Sequence, residues 1–328
     1  MKPDSTDRHL KTKQYLNTGK VNLIRAFHDL WHRTSESPKP RRWRSPPVPL
    51  PKGATISSID QVYRSWSVNE ELPGHLDAYV DDSLGRFLHT WNLVRTDSGK
   101  CLELGANPYF TTYLLQNYTD LELTLANFYH QTGENLETVS YTPTPGSDRV
   151  KQVHSSKMFN IETEDFPFET DSFDVVLFCE IIEHLTMNPL AALREIHRIL
   201  KPGGVLVLST PNVCRLGNVY AMVDGANIYD PYSGYGPYGR HNREYTRHEL
   251  HRLLTFAGYE VESSFTADGH PNDTTSHPQD AKIDELIEFR LDDLGKYIFV
   301  RARASDPPAS GLPGFLYRSW PPGEIVDF

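Results

Sequence analysis

Residues 171–212 constrain the fold more than any other stretch; they read DSFDVVLFCEIIEHLTMNPLAALREIHRILKPGGVLVLSTPN. Val175, Val176, Leu177 and Phe178 form a short unbroken apolar run, the pattern of a central strand buried on both faces. A helix with clear boundaries follows. Asn188 suits its N-cap, and Pro189 suits the first helical position, where a missing N–H does no harm. Leu190, Leu193, Ile196, Ile199 and Leu200 recur at helical spacing, and Pro202-Gly203-Gly204 is expected to stop the helix. A second buried strand, Val205 to Leu208, ends in Ser209-Thr210-Pro211-Asn212. Strand, helix and strand make one right-handed crossover of an open α/β sheet. Cys179, Glu180, Glu183 and His184 follow the carboxyl end of the first strand, and Thr210 and Asn212 follow that of the second. Ligands of such sheets bind outside these ends. If Glu180 to Leu185 is one helical turn, Glu180, Glu183 and His184 share a face.

The same architecture extends upstream. A helix is expected over residues 74–95, with Leu84, Phe87, Leu88 and Trp91 turned inward. Lys100 to Pro108 (KCLELGANP) then reads as a strand and a tight turn into a helix. Gly105 permits close backbone approach, and the helix N-terminus offers free N–H groups. Leu121 to Phe128 is the next strand, with Asn127 near its end, where an α/β nucleotide fold places a ribose-binding residue. Downstream, Thr246 and Glu249 form a capping-box pattern for a helix ended by Gly258. Strands over Tyr259 to Phe265 and Tyr297 to Arg301 flank a helix over 281–291.

Charge is unevenly distributed along the 328 residues, whose formal net charge is −10. Residues 1–65 hold 13 Lys/Arg and 5 Asp/Glu, whereas the remainder holds 20 and 38. A basic arm therefore precedes an acidic body, a balance that argues against general nucleic-acid binding. Three cysteines without metal-motif spacing suggest neither a disulfide framework nor a zinc site, so a cytoplasmic setting is expected. No run of about 18 apolar residues is present to span a membrane. Residues 21–33 place Val21, Ile24, Phe27, Leu30 and Trp31 on one helical stripe. That stripe can pack on the main domain or on a homodimer partner, or lie on an anionic surface such as a membrane. Residues 37–52 are Pro-rich and basic, as in an extended linker. The expected organisation is an N-terminal extension over 1–65, a main domain over 66–304 and an irregular Pro/Gly-rich tail over 305–328. Residues 213–245, rich in Tyr and Gly, read as a lid inserted in the main domain.

Three motifs in this order, LELGANP at 102–108, FPFETDSFDVVLFCEIIEHL at 166–185 and LREIHRILKPGGVLVLSTPN at 193–212, resemble the class I S-adenosylmethionine (SAM)-dependent methyltransferases. The resemblance covers roughly residues 75–304. It implies a seven-stranded Rossmann-like sheet with helices on both faces, and SAM as cofactor. The implied cofactor contacts are Glu103, Gly105, Ala106, Asn107, Asn127, Asn160, Ile161 and Cys179. Asn107 stands where the family usually has a second glycine. Asn127 and Asn160 stand where it usually has acidic residues.

The segment from His241 to Arg247 resembles the His-x-x-Glu-aromatic-Thr-Arg element of small-RNA 2′-O-methyltransferases, which also carry Glu-x-x-Glu-His. By that resemblance Glu180, Glu183, His184 and His241 are candidate ligands of Mg²⁺ or Mn²⁺. Metal-free alternatives stay open: His184 or His241 acting as a base, or Glu183-His184 in a structural or SAM-orienting role. The expected activity is O-methylation of a sugar or polysaccharide hydroxyl, or of a small phenolic acceptor. An RNA 3′ end fits the motif but not the acidic body. A non-catalytic SAM-binding module is the alternative from another class.

Overall fold

The computed structural model describes residues 43–68, 74–128, 136–142, 150–271 and 276–328. The expectations for residues 21–33 and 37–42 lie outside these. Trp43–Asp280 with Arg290–Phe328 forms one compact unit, and Met1–Arg42 with Ala281–Phe289 the other. Of the smaller unit, only 281–289 belongs to the described residues; it is helical.

The larger unit opens with α1 (Ile56–Arg64), β1 (Ser67–Val68), α2 (Asp77–Val94) and β2 (Ser98–Leu104). Next come α3 (Phe110–Tyr118), β3 (Asp120–Asn127), β4 (Leu136–Thr142), β5 (Val150–Met158) and β6 (Phe173–Cys179). The second half holds α4 (Pro189–Ile199), β7 (Leu200–Pro211), α5 (Leu216–Val223), α6 (Arg247–Phe256), β8 (Tyr259–Ala267) and β9 (Tyr297–Ala304). The strand order is β1-β4-β5-β3-β2-β6-β7-β9-β8. From β5 to β7 the neighbours are parallel, and β9 inserts antiparallel between β7 and β8. These seven match the number that the resemblance implies, although β5 was not read from the sequence. Antiparallel β4 and β1 extend one edge to nine. Neither has an apolar run, so neither stands out in the sequence.

The central strands are apolar without interruption because successive residues serve opposite faces. Leu102, Leu104, Val176, Phe178, Leu206 and Leu208 join the core under α4 and α6. Cys101, Val175, Leu177, Val205 and Val207 join the core under α1, α2 and α3. Val176 and Phe178 are wholly buried, each side chain contributing about 1.5–3 kcal/mol.

The main domain begins earlier than residue 66. Tyr63 of α1 stacks on Phe110 with centroids 4.3 Å apart, and its hydroxyl donates to the Phe110 carbonyl at 2.8 Å. Ile59, Tyr63 and Trp66 are buried in the core of α2 and α3, which ties the described part of the expected extension to the sheet.

Capping follows the sequence with one difference. Asn188 Oδ1 accepts from the Ala191 N–H, and Thr246 Oγ1 accepts from the Glu249 N–H. Glu249 does not complete the box; its carboxylate pairs with Arg243. Pro202-Gly203-Gly204 also sits differently, within the first residues of β7, because α4 already ends at Ile199.

The tail lies on the domain through Tyr317, whose hydroxyl accepts from the Leu190 N–H and donates to Asn188 Oδ1. Among the described residues no helix is long and apolar enough to cross a membrane.

Candidate active site

The turn after β2 is shaped by Gly105, which holds φ = 68°. A Cβ there would also meet Ile181 Cδ1 at 3.1 Å, so both conformation and space call for glycine. The N–H groups of Gly105 and Ala106 both donate to the Ala126 carbonyl. Asn107 N–H donates to Asn127 Oδ1 at 3.0 Å, and Asn127 Nδ2 donates to Ser156 Oγ at 2.8 Å. Asn107 and Asn127 thus clamp the ends of β2 and β3 together. Glu103, at the end of β2, is buried and accepts from Thr112 Oγ1 at 2.7 Å. Burial pushes its carboxyl up to about 8, against the pull of the Thr112 bond.

Two cavities meet across Gly105 and Ile181. The first, about 180 Å³, is mainly apolar and is lined by Asn127, Phe159, Asn160, Ile161, His184 and Tyr238 among others. Asn160 Oδ1 accepts from the Glu162 N–H, and its amide faces the Tyr238 hydroxyl at 3.4 Å. The second, about 130 Å³, is lined by Arg86, Glu103, Ala106, Asn107, Cys179 and Glu180 among others. Burial pushes the Cys179 thiol up to about 12, so it is an inert wall there. All eight expected cofactor contacts line one or the other cavity.

The acids and histidines do not lie on one helical turn. Glu180 adopts φ = 55°, a left-handed conformation that a side-chain-bearing residue rarely takes, and only Ile182–His184 is helical, as a single 3-10 turn. Glu180 consequently points elsewhere. Its Oε2 lies 3.3 Å from Arg86 Nη1, and its Oε1 accepts from Ser209 Oγ at 2.8 Å. Burial raises its carboxyl pKa, with Arg86 pulling it back.

The remaining three come together. Atoms of Glu183, His184 and His241 that could ligate one ion lie within 4.8 Å of one another. Among the described residues Glu180 falls outside that cluster, which corrects the expected set of four ligands. Glu183 is fully buried; Oε2 accepts from Thr210 Oγ1 at 2.8 Å, while Oε1 has no hydrogen-bond partner among the described residues. His184 Nε2 is 3.9 Å from that oxygen, and its Nδ1 donates to the Arg240 carbonyl at 2.9 Å. His241 Nδ1 donates to Glu244 Oε1 at 3.1 Å, and Glu244 in turn pairs with Arg215. Each ring therefore keeps Nε2 for a ligand, with its other nitrogen oriented by an oxygen, the usual arrangement of metal-binding histidines.

Burial and then the charge of Glu180 push the Glu183 carboxyl well above the usual range, and burial followed by His241 lowers His184. At His241 burial acts downward, but the Glu244 bond and Asp230 outweigh it and raise the pKa. An orphaned buried carboxylate oxygen beside two poised ring nitrogens fits a divalent cation.

Asn212 takes no part in the cleft; its amide donates to the Asp293 and Gly295 carbonyls. Several participants were not evident from sequence. Arg86 is buried in α2, lines the second cavity, and has an Nε without a partner among the described residues. Arg86 lies off the apolar stripe of Leu84, Phe87 and Leu88, so the local pattern did not mark it as buried. Of the Tyr-rich segment, Tyr238 lines the first cavity and Tyr220 is buried, while Tyr229, Tyr232 and Tyr235 are exposed.

A family model described as a methyltransferase domain matches residues 74–264, more than half of the chain. This chain belongs to the methyltransferase-domain family. The ubiquinone biosynthesis O-methyltransferase of Ruegeria pomeroyi is 41% identical over 93 residues, 27% of this chain and 35% of the relative. A demethylmenaquinone methyltransferase of Staphylococcus aureus is 34% identical over 92 residues, again 27% and 35%. The matched segment thus spans about a third of the length of these curated relatives.

Among solved structures, a SAM-dependent methyltransferase of Thermotoga maritima, described as a possible histamine N-methyltransferase, is 16% identical. It covers 67% of this chain and 89% of its own, with a TM-score of 0.40. A SAM-dependent methyltransferase of Archaeoglobus fulgidus is 14% identical over 70% of this chain and 99% of its own, with a TM-score of 0.41. In this methyltransferase domain the glycine turn, both cavities and the Glu-His cluster all sit at the carboxyl ends of β2, β3, β6 and β7.

Proposed function

We propose that this protein is a SAM-dependent methyltransferase acting on a hydroxyl of a sugar or a small phenolic acceptor. The observation that carries the proposal is the unpartnered, buried Glu183 Oε1 facing His184 Nε2, with His241 completing the cluster at the mouth of the cleft. SAM, when bound, supplies an activated methyl group, which leaves the protein to orient the reactants and manage the acceptor proton.

Asn127, Asn160 and Ile161 suit the adenosine end: two neutral amides for hydroxyls and a ring edge, and an aliphatic wall for the ring. Gly105 and Ala106 present backbone at the turn, and Cys179 fills the wall. Arg86 and Glu103 suit the amino-acid end, a guanidinium for the carboxylate and a carboxyl for the ammonium. Glu180 holds Arg86 in place. Glu183, His184 and His241 would hold a divalent ion, whose chemistry is to lower the pKa of an acceptor hydroxyl. One oxygen and two imidazoles suit Mn²⁺ better than Mg²⁺. The relatives named ubiquinone biosynthesis O-methyltransferases support oxygen as the methylated atom.

The test is calorimetric titration of SAM with EDTA, Mg²⁺ or Mn²⁺, joined to turnover on hydroxyl acceptors. Micromolar SAM binding that is indifferent to metal, with turnover that needs it, is expected. Glu183→Gln and His241→Ala should each abolish turnover and leave SAM affinity intact. Absence of SAM binding would remove the proposal. Undiminished turnover of both variants in EDTA would remove the ion from it.

A further inference from the structure

A third cavity beside His241, of about 530 Å³, is within the range of small-molecule sites. His184 lines the apolar cavity of the cleft, His241 lines this one, and their rings meet edge to face with centroids 5.0 Å apart. The segment that carries His241 is bonded to the Glu183-His184 backbone. The N–H groups of Asn242 and Arg243 donate to the Glu183 carbonyl, and Asn242 Nδ2 donates to the His184 carbonyl at 2.8 Å.

The lining of the third cavity has a definite chemistry. Tyr229 and Phe315 supply aromatic faces; Asp230, Arg243, Glu249 and Arg252 supply planar polar groups. The Arg252 guanidinium lies over the Phe315 ring, 4.1 Å from its centroid. Arg243 is already paired with Glu249, so the cavity offers little surplus positive charge to a polyanion such as an RNA end. Five ionic side chains, counting Glu244, line this one space, a poor match for a long apolar tail. Side chains that present donors and acceptors in planar pairs match vicinal hydroxyls, and an aromatic ring covers the C–H face of a saturated ring.

We infer that this cavity is the acceptor subsite and takes a compact polyhydroxylated ring, one hydroxyl of which reaches the His184–His241 pair. The inference rests on the methyltransferase proposal for the direction of transfer, but the cavity's occupant can be tested separately. Saturation-transfer NMR on the full chain, with S-adenosylhomocysteine and Mg²⁺ present, would use myo-inositol and methyl α-D-glucoside as probes and catechol as comparator. Saturation of the polyols is expected. Tyr229→Ala should weaken it roughly 3- to 10-fold, the usual worth of one aromatic contact. Tyr229 is 79% exposed, so its loss leaves the core untouched.

Saturation of catechol alone, or of no probe, would overturn the inference. So would polyol signals unchanged in both Tyr229→Ala and Phe315→Ala. Failure of S-adenosylhomocysteine to bind by calorimetry would instead count against the methyltransferase proposal, and the polyol signals would still decide the occupant.

Discussion

Glu103→Gln is expected to make the protein more stable at neutral pH, with a sign that reverses ordinary intuition about removing a charge. The Glu103 carboxyl is buried, and its ordinary value of 4.5 is pushed up to about 8. Below pH 4.5 the group is protonated folded or unfolded and has no effect on the balance. As pH rises from 4.5 towards 8, the unfolded chain releases a proton that the folded chain retains, so stability is lost through that window. The loss is about 1.4 kcal/mol for each pH unit, or about 3 kcal/mol by pH 7. Gln keeps the shape and the acceptor for Thr112 Oγ1, yet has no proton to release. Urea unfolding of both proteins without cofactor at pH 5.5, 6.5 and 7.5 measures the difference, in which the other titrating groups cancel. The variant should gain roughly 2–3 kcal/mol on the wild type across that range. Parallel pH profiles would refute the assignment of a protonated Glu103.

Two further substitutions probe the cleft. Arg86→Ala leaves Glu180 buried beside Ser209 without its cation, and should cost about 3 kcal/mol and weaken SAM binding. Adding Glu180→Gln should restore much of the stability but not the affinity; additive losses in a double-mutant cycle would show that the pair is not coupled. Gly105→Ala combines a left-handed φ with contact against Ile181, and should cost about 1–2 kcal/mol and abolish SAM binding. Retained micromolar affinity in calorimetry would mean that the turn does not approach the cofactor closely.

The order of strands and helices in the main domain was legible because burial leaves a local trace. β6 shows it as Val175 to Phe178, α4 as the 3.6-residue repeat from Leu190 to Ile199, and the caps as Asn188 and Thr246. The added edge strands were harder to read, because β4 and β1 pair at the rim of the sheet and need no apolar run. α1 carries a helical repeat in Ile56, Ile59 and Tyr63, but its composition merges with the basic stretch before it. Its place in the domain depends on Phe110, 47 residues away.

The chain's own order of residues determined which groups stand at the strand ends: Glu103, Gly105, Asn127, Glu183 and His184 are there because the strands stop there. It did not determine where their side chains point. Helical spacing joins Glu180 to Glu183 and His184, but the left-handed turn at Glu180 sends its carboxylate to Arg86 on α2 and separates it from the histidines. His241, 57 residues beyond His184, reaches the cluster because the backbone of Asn242 and Arg243 is tied to the Glu183 carbonyl. Hydrophobic periodicity is a property of neighbours along the chain. A polar site is a property of neighbours in space, and its geometry appears only when buried donors and acceptors from distant segments must satisfy one another.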